Sequence, residues 1–382
     1  MLNRLIYIIL KAFCLYYSFY GLIVFFGPLD SMTLQNPDTP LVAKMIDESL
    51  SLLLFVLLVF HPNLYKLQIY LILFIIAVIL LFVIFLRITE GYGANFSYVK
   101  SFIISIILLF AFTTIEISKI LNLIRLFIHL NAVAIILSVA FFIKNPYLAY
   151  GGRLLGNYAN PNASALVYTI LLATLMLVGK RIYNSYRRKN LIVWTLIFIF
   201  VVGLITTFSK LYIVVSAINV LIMMNLGVIV VIAILIIPIL NLFSLEDVFL
   251  LNTVTQRLAD YNLWAIEMND FFNVIFGREC KDCSSFYSDA SFINLTSSYG
   301  ILIGLVLAVA PWLLMIFNSI SLRNYNLNIQ KKYVASYSFS YLSIFIHYQV
   351  ETQPTQFLFY LSAVLPSILL AKSKEVNICR RR

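Results

Sequence analysis

The sequence predicts an all-α integral membrane protein with about twelve transmembrane helices, forming one polytopic membrane domain over residues 1–382. Three observations predict it. The chain is 62% hydrophobic and only 11% charged, with a mean hydropathy of +0.96. A soluble domain carries about 25% charged residues, so this chain has too little polar surface to cover its apolar surface in water. The apolar residues fall in long unbroken runs of the length a helix needs to cross hydrocarbon, not in the short alternating segments of a barrel. The basic residues, finally, gather in alternate connections between those runs.

Taken in order, the predicted spans are 5–26, 44–60, 67–86, 99–117, 120–143, 161–179, 191–208, 211–225, 226–243, 292–317, 333–350 and 356–371. The first is span-length and no small-residue cleavage pattern follows it, so it reads as a retained helix and not as a signal peptide. The sixth opens on Asn160-Pro161-Asn162, an Asn cap with Pro at the first helical position. The short spans near Lys210 and Gly227 are closely joined. Most connections are short; the exception is 244–291, which reads as a large external loop. That loop mixes Trp264, Phe271, Phe272, Phe276 and Tyr287 with charges, so order is expected in it. Within it, residues 251–270 place apolar side chains at 254, 258, 261, 264 and 265, the spacing of an amphipathic helix lying on a membrane. No internal repeat or low-complexity segment is evident.

The loop Lys180-Arg181 to Arg187-Arg188-Lys189 is strongly basic and is assigned to the cytoplasm. Alternation then puts both termini inside and 244–291 outside. The cytoplasmic side holds 18 of the 27 basic residues and 2 of the 16 acids, Glu116 and Glu375. The formal charge of +11 is thereby explained by topology and an anionic inner leaflet, and nucleic acid is not an expected partner. Among four cysteines, Cys280 and Cys283 share the large loop, as a local disulfide or as two free thiols; a lone C-x-x-C has too few ligands for structural zinc. His61, His129 and His347 are scattered, no metal cluster or phosphate-binding P-loop is seen, and no cofactor is expected. His61 reads as cytoplasmic and His129 as a packed helix residue.

Against this apolar background the polar outer positions stand out. Arg153 follows two glycines before the sixth span, Lys210 lies in Thr206-Thr207-Phe208-Ser209-Lys210, and Arg257 and Arg278 lie in the large loop. Gathered on one side, such cations suit a diphosphate, which Arg grips bidentately. Each also reads as a snorkelling residue anchoring a helix end. Asn160 and Asn162 sit at a helix start whose free amides favour anions. Asp289 lies where the loop re-enters the membrane, and Glu351 at the outer end of the eleventh span; each reads as a general base or as a solvated cap.

Arg153-x-x-Gly156, Asn160-Pro161-Asn162, Ser209-Lys210 and a large loop ending in Ser288-Asp289-Ala290-Ser291-Phe292-Ile293-Asn294 with Tyr299-Gly300-Ile301 together resemble the O-antigen ligase and polymerase superfamily. Arg257 to Trp264, Phe271 to Gly277, and Glu351-Thr352 with Pro354 add to the resemblance, which covers about residues 140–370. Lys210 stands where the family often has Arg, which keeps the charge and loses the fork. The loop also lacks the histidine in which ligases of the group resemble one another, and this favours a Wzy-type polymerase.

The resemblance implies a metal-independent glycosyltransferase with a GT-C-like membrane fold in the bacterial cytoplasmic (inner) membrane. Its substrates would be undecaprenyl-diphosphate-linked oligosaccharides in membrane lipid, with a chain-length regulator as a partner. The implied roles are Asp289 or Glu351 as catalytic base and Arg153, Asn160, Asn162, Lys210, Arg257 and Arg278 as substrate-binding residues. An O-antigen ligase acting on lipid A core is the nearest competitor. A flippase for the same lipid-linked glycan is a second, and it calls for ionisable residues near the midplane, where Glu116, Arg125 and His129 are the candidates.

Overall fold

The computed structural model describes residues 2–20, 41–62, part of 104–116, 117–144, 161–183, 186–207, 209–223, 251–277 and part of 293–305. All regular structure among them is helical. The helices are α1 (Leu2–Ser18), α2 (Leu41–Val59), α3 (Ile117–Lys144), α4 (Pro161–Ile182), α5 (Lys189–Thr206), α6 (Lys210–Met223), α7 (Leu251–Glu267) and α8 (Phe271–Phe276). Further helical positions occur within 104–114 and 293–305. The predicted spans 67–86, 226–243, 333–350 and 356–371 lie outside the described residues, as do Cys280 and Cys283.

Two of these helices are long and apolar enough to cross a membrane, Ser118–Phe141 within α3 and Lys189–Thr206, which is α5. The arrangement of α5 shows what its composition serves. Only Leu196, Phe200, Gly203 and Leu204 are buried, one stripe at helical spacing. The other faces are apolar too: Leu191, Trp194, Phe198 and Ile205 are exposed. A helix in water would carry charges there. An apolar outer face matches a hydrocarbon surrounding, in which backbone groups must be satisfied within the helix.

Helix α3 is the hub, packed by α1, α4 and α5; α2 packs on α1, and α6 packs on α4 and α5. The core runs through Phe13, Phe112, Phe127, Tyr168 and Phe200. Polar contacts set the registers. Asn131, fully buried in α3, donates to Ser18 Oγ at 2.9 Å and to the Phe127 carbonyl at 2.9 Å. His61, just past α2, hydrogen-bonds Asn3 at the start of α1, so these two helices are antiparallel neighbours. Burial pushes the His61 pKa down. Arg125 on α3 meets Tyr186 in the α4–α5 connection, and further along Gly203 of α5 lies against Ile135 of α3. Helices α3 and α5 therefore run in the same direction, with α4 antiparallel to both.

Gly203 is a close-approach position. A Cβ there would lie 3.0 Å from Ile135 and 3.2 Å from Tyr168, side chains of two other helices. Replacing it by Leu forces three helices apart, and the expected cost is about 1–3 kcal/mol. Phe198→Leu, on the exposed apolar face, should cost far less. Thermal unfolding of the two variants in detergent checks this; equal midpoints would remove Gly203 from the packing account.

Candidate functional site

The predicted start of the sixth span is where α4 begins, at Pro161, and the predicted Ser209-Lys210 boundary is where α6 begins. The chain between α5 and α6 is tied down by back-bonding. Thr206 Oγ1 donates to the Gly203 carbonyl at 2.8 Å and Thr207 Oγ1 to the Leu204 carbonyl at 2.7 Å. These bonds add to the cap of α5, where the Thr207 backbone N–H also donates to the Leu204 carbonyl. Thr207 and Ser209 are both buried, so the turn that delivers Lys210 is packed inside the bundle.

A hydroxyl pair fixes the two helix starts at one end. Thr169 Oγ1 and Ser216 Oγ are 3.3 Å apart, joining α4 to α6, while Thr169 also donates to the Ala165 carbonyl. Both helices run away from the α5–α6 turn. At about 1.5 Å per residue, Thr169 lies roughly 12 Å into α4 and Ser216 roughly 9 Å into α6. Position 210 is therefore about level with the first turn of α4, the turn that carries position 162. Two of the residues singled out from sequence thus share one end of two packed helices.

The large loop is ordered over 251–277, as its composition predicts. Helix α7 coincides with the predicted amphipathic segment. Of its apolar positions, Tyr261 and Trp264 are half-buried and Met268 is buried just past the helix, whereas Leu258 and Ala265 are exposed. Trp264 Nε1 donates to Thr296 Oγ1 at 2.9 Å, and Thr296 in turn donates to the Ile293 carbonyl at 3.2 Å. Tyr261 packs edge-on against Trp264 with ring centroids 6.4 Å apart, and burial pushes its hydroxyl pKa up. Position 257, one and two turns before these residues, falls on the same face of α7.

Gly277 ends α8 at φ 87°, and Gly300 adopts φ 76°. A Cβ on Gly300 would lie 2.0 Å from the Ile275 carbonyl oxygen, so α8 and the segment 293–305 touch backbone to backbone. The loop pair α7–α8 is thereby clamped onto the residues that follow the loop at two points. Thr296 carries no sequence signal that marks it as Trp264's partner; Gly300 is legible only through the Tyr299-Gly300-Ile301 motif.

Of the remaining candidates, Arg153, Asn160, Arg278, Asp289 and Glu351 lie outside the described residues. Among the described residues, no group of three His, Cys, Asp or Glu side chains is placed to hold a metal ion. His129, expected to be packed, is exposed on α3; its ring lies edge-on to Tyr183, 5.6 Å between centroids. No family model, curated protein or solved structure matches the chain.

Both clamps should be separable. Trp264→Phe deletes one hydrogen bond at an expected cost of about 0.5–1.5 kcal/mol. Gly300→Ala should cost more, since backbone must move. Amide hydrogen exchange over 251–277 should accelerate in both variants, and more in Gly300→Ala. Unchanged exchange in Gly300→Ala would show that the loop is not held there.

Proposed function

We propose that the chain is a polysaccharide polymerase of the O-antigen ligase and polymerase type. It would join undecaprenyl-diphosphate-linked glycans at the outer face of the bacterial cytoplasmic membrane. The proposal includes the twelve-span GT-C-like architecture, cytoplasmic termini and an external 244–291 loop. The observation that carries it is the contact of Thr169 with Ser216, which brings the starts of α4 and α6, the helices that carry positions 162 and 210, to one end of the bundle, the end adjoining Arg153 in sequence. The clamped α7, bearing position 257, supports the same reading.

The chemistry asks little of the protein. A hydroxyl of the acceptor sugar attacks the anomeric carbon of the donor glycan. The bond to the diphosphate oxygen breaks, and undecaprenyl diphosphate leaves with the electron pair. Charge growing on that diphosphate is stabilised by preorganised cations, with Arg153 as the bidentate grip and Lys210, Arg257 and Arg278 around it. Asp289 takes the hydroxyl proton, with Glu351 as the alternative base. Two lipid tethers hold the reactants in one plane, which lowers the entropic cost of bringing them together.

Arg153→Ala should abolish polymer at normal protein abundance, and Arg153→Lys should restore little, because an ammonium lacks the fork. Normal polymer from Arg153→Ala would make Arg153 a helix anchor and sink the proposal. Asp289→Asn should slow polymerisation by about two to four orders of magnitude in membranes supplied with lipid-linked repeat units. An unchanged rate moves the base to Glu351. Deleting the chain should leave single repeat units on lipid A core; bare core would identify a ligase instead.

A further inference from the structure

The opposite end of the bundle carries a second cluster, which the glycan chemistry does not use. Arg125 projects from α3 near the α4–α5 connection. Its Nη1 donates to the Tyr186 hydroxyl at 3.3 Å, and its guanidinium lies 5.9 Å from the centroid of the Tyr186 ring. Among the described residues no carboxylate pairs with it. A guanidinium near the end of an apolar helix with only a phenol for company is under-compensated. His129, one turn along, donates from Nδ1 to the Arg125 carbonyl at 2.8 Å and forms a side wall.

The second observation is independent. Tyr183 is 1% exposed, and among the described residues its hydroxyl has no hydrogen-bond partner. Buried hydroxyls are nearly always satisfied, so one left over calls for an explanation. Its ring lies 6.0 Å from that of Tyr186. The hydroxyl feels both neighbours: burial pushes its pKa well up, the Arg125 charge opposes that rise, and Tyr186 adds to it. Arg187 and Arg188, both exposed, follow immediately in the chain.

We propose that Arg125, Tyr183 and Tyr186, with Arg187 and Arg188 beside them, bind the phosphate of an anionic phospholipid in the leaflet at this end of the bundle. Tyr186 is 43% exposed and its bond to Arg125 is long for an N–H···O contact. A phosphate oxygen makes a shorter, charge-assisted bond, takes the place of Tyr186 on Arg125, and uncovers the Tyr183 hydroxyl, which donates to a second phosphate oxygen. Arg187 and Arg188 supply the surrounding positive field. Acyl chains then lie along the exposed apolar face of α5, where Leu191 and Trp194 begin just beyond the basic turn. The site depends on the chain being embedded in lipid and not on the polymerase reading.

The full-length protein in phosphatidylcholine–detergent micelles supplies the test, with phosphatidylglycerol titrated in and the shift in thermal unfolding midpoint followed. Phosphatidylglycerol should raise the midpoint where an equal amount of added phosphatidylcholine does not. Arg125→Gln should weaken the apparent affinity about tenfold, the loss of one charge-assisted contact. Tyr183→Phe should weaken it by a smaller factor while leaving the lipid-free midpoint unchanged or higher, because it removes an unsatisfied buried hydroxyl. Arg187→Gln with Arg188→Gln, both on the surface, should lower affinity if Arg125→Gln fails to fold. Equal responses to the two lipids, or wild-type affinity in Tyr183→Phe together with the Arg187/Arg188 pair, would overturn the site. The same midpoint shift with inorganic phosphate alone would show a free-anion site and overturn the lipid assignment.

Discussion

Helices α3 and α5 present apolar side chains both inward and outward, and that symmetry is the constraint from which the rest of the structure follows. In water, burying an apolar stripe selects which face of a helix turns inward. In hydrocarbon the selection is lost, because the surroundings are as apolar as the core. Helix choice and register must then come from close approach and from polar groups that have no other partner. Both are visible. Gly203 lets α5 come within van der Waals contact of Ile135 and Tyr168. Asn131 divides its two amide hydrogens between Ser18 of α1 and its own helix. Rotating α1 or α3 away would leave an amide facing carbon.

The same rule positions the candidate site. The Thr169–Ser216 pair is a weak bond by itself, yet it is what brings the start of α6 level with the start of α4. A slip of one helical turn, about 5.4 Å, would break this pair and move the start of α6 away from the level of the first turn of α4. The back-bonded Thr206 and Thr207 remove a second freedom, the length of chain between α5 and α6. Outside the bundle a different device operates. Helix α7 carries Arg257, Asp260 and Glu267, and α7 and the uncharged α8 are held to 293–305 by an indole hydrogen bond and by a glycine that no other residue replaces without displacing backbone.

What sequence reasoning recovers here follows from what is encoded locally. Hydropathy and the Pro161 cap place α3 to α6 within a few residues, because span length and helix starts are properties of short segments. The amphipathic reading of 251–270 finds α7 for the same reason. It does not reveal the hydrogen bond of Trp264, because its partner Thr296 lies over thirty residues away. Asn131, Ser18, Thr169 and Ser216 carry no local sequence signal, because their meaning lies in pairings between helices. His129 read as packed because it lies in an apolar run; it is exposed on α3, where, among the described residues, its ring contact is the edge-on one with Tyr183.

In the proposed topology the two ends of the bundle solve opposite electrostatic problems. The cytoplasmic end has basic residues in large excess over Glu116 and Glu375, so an anion arriving there meets a general positive field. In the proposed lipid site Arg125 adds specificity because it is part-buried and, among the described residues, has no carboxylate partner. The outer end holds more acids than bases, so its field does not gather diphosphates. Cations that act there must do so through fixed geometry at short range, where low dielectric makes one well-placed guanidinium count for more than many exposed ones. That requirement is why a packed turn before Lys210 and a clamped α7 matter more to the proposed chemistry than the number of cations on that face.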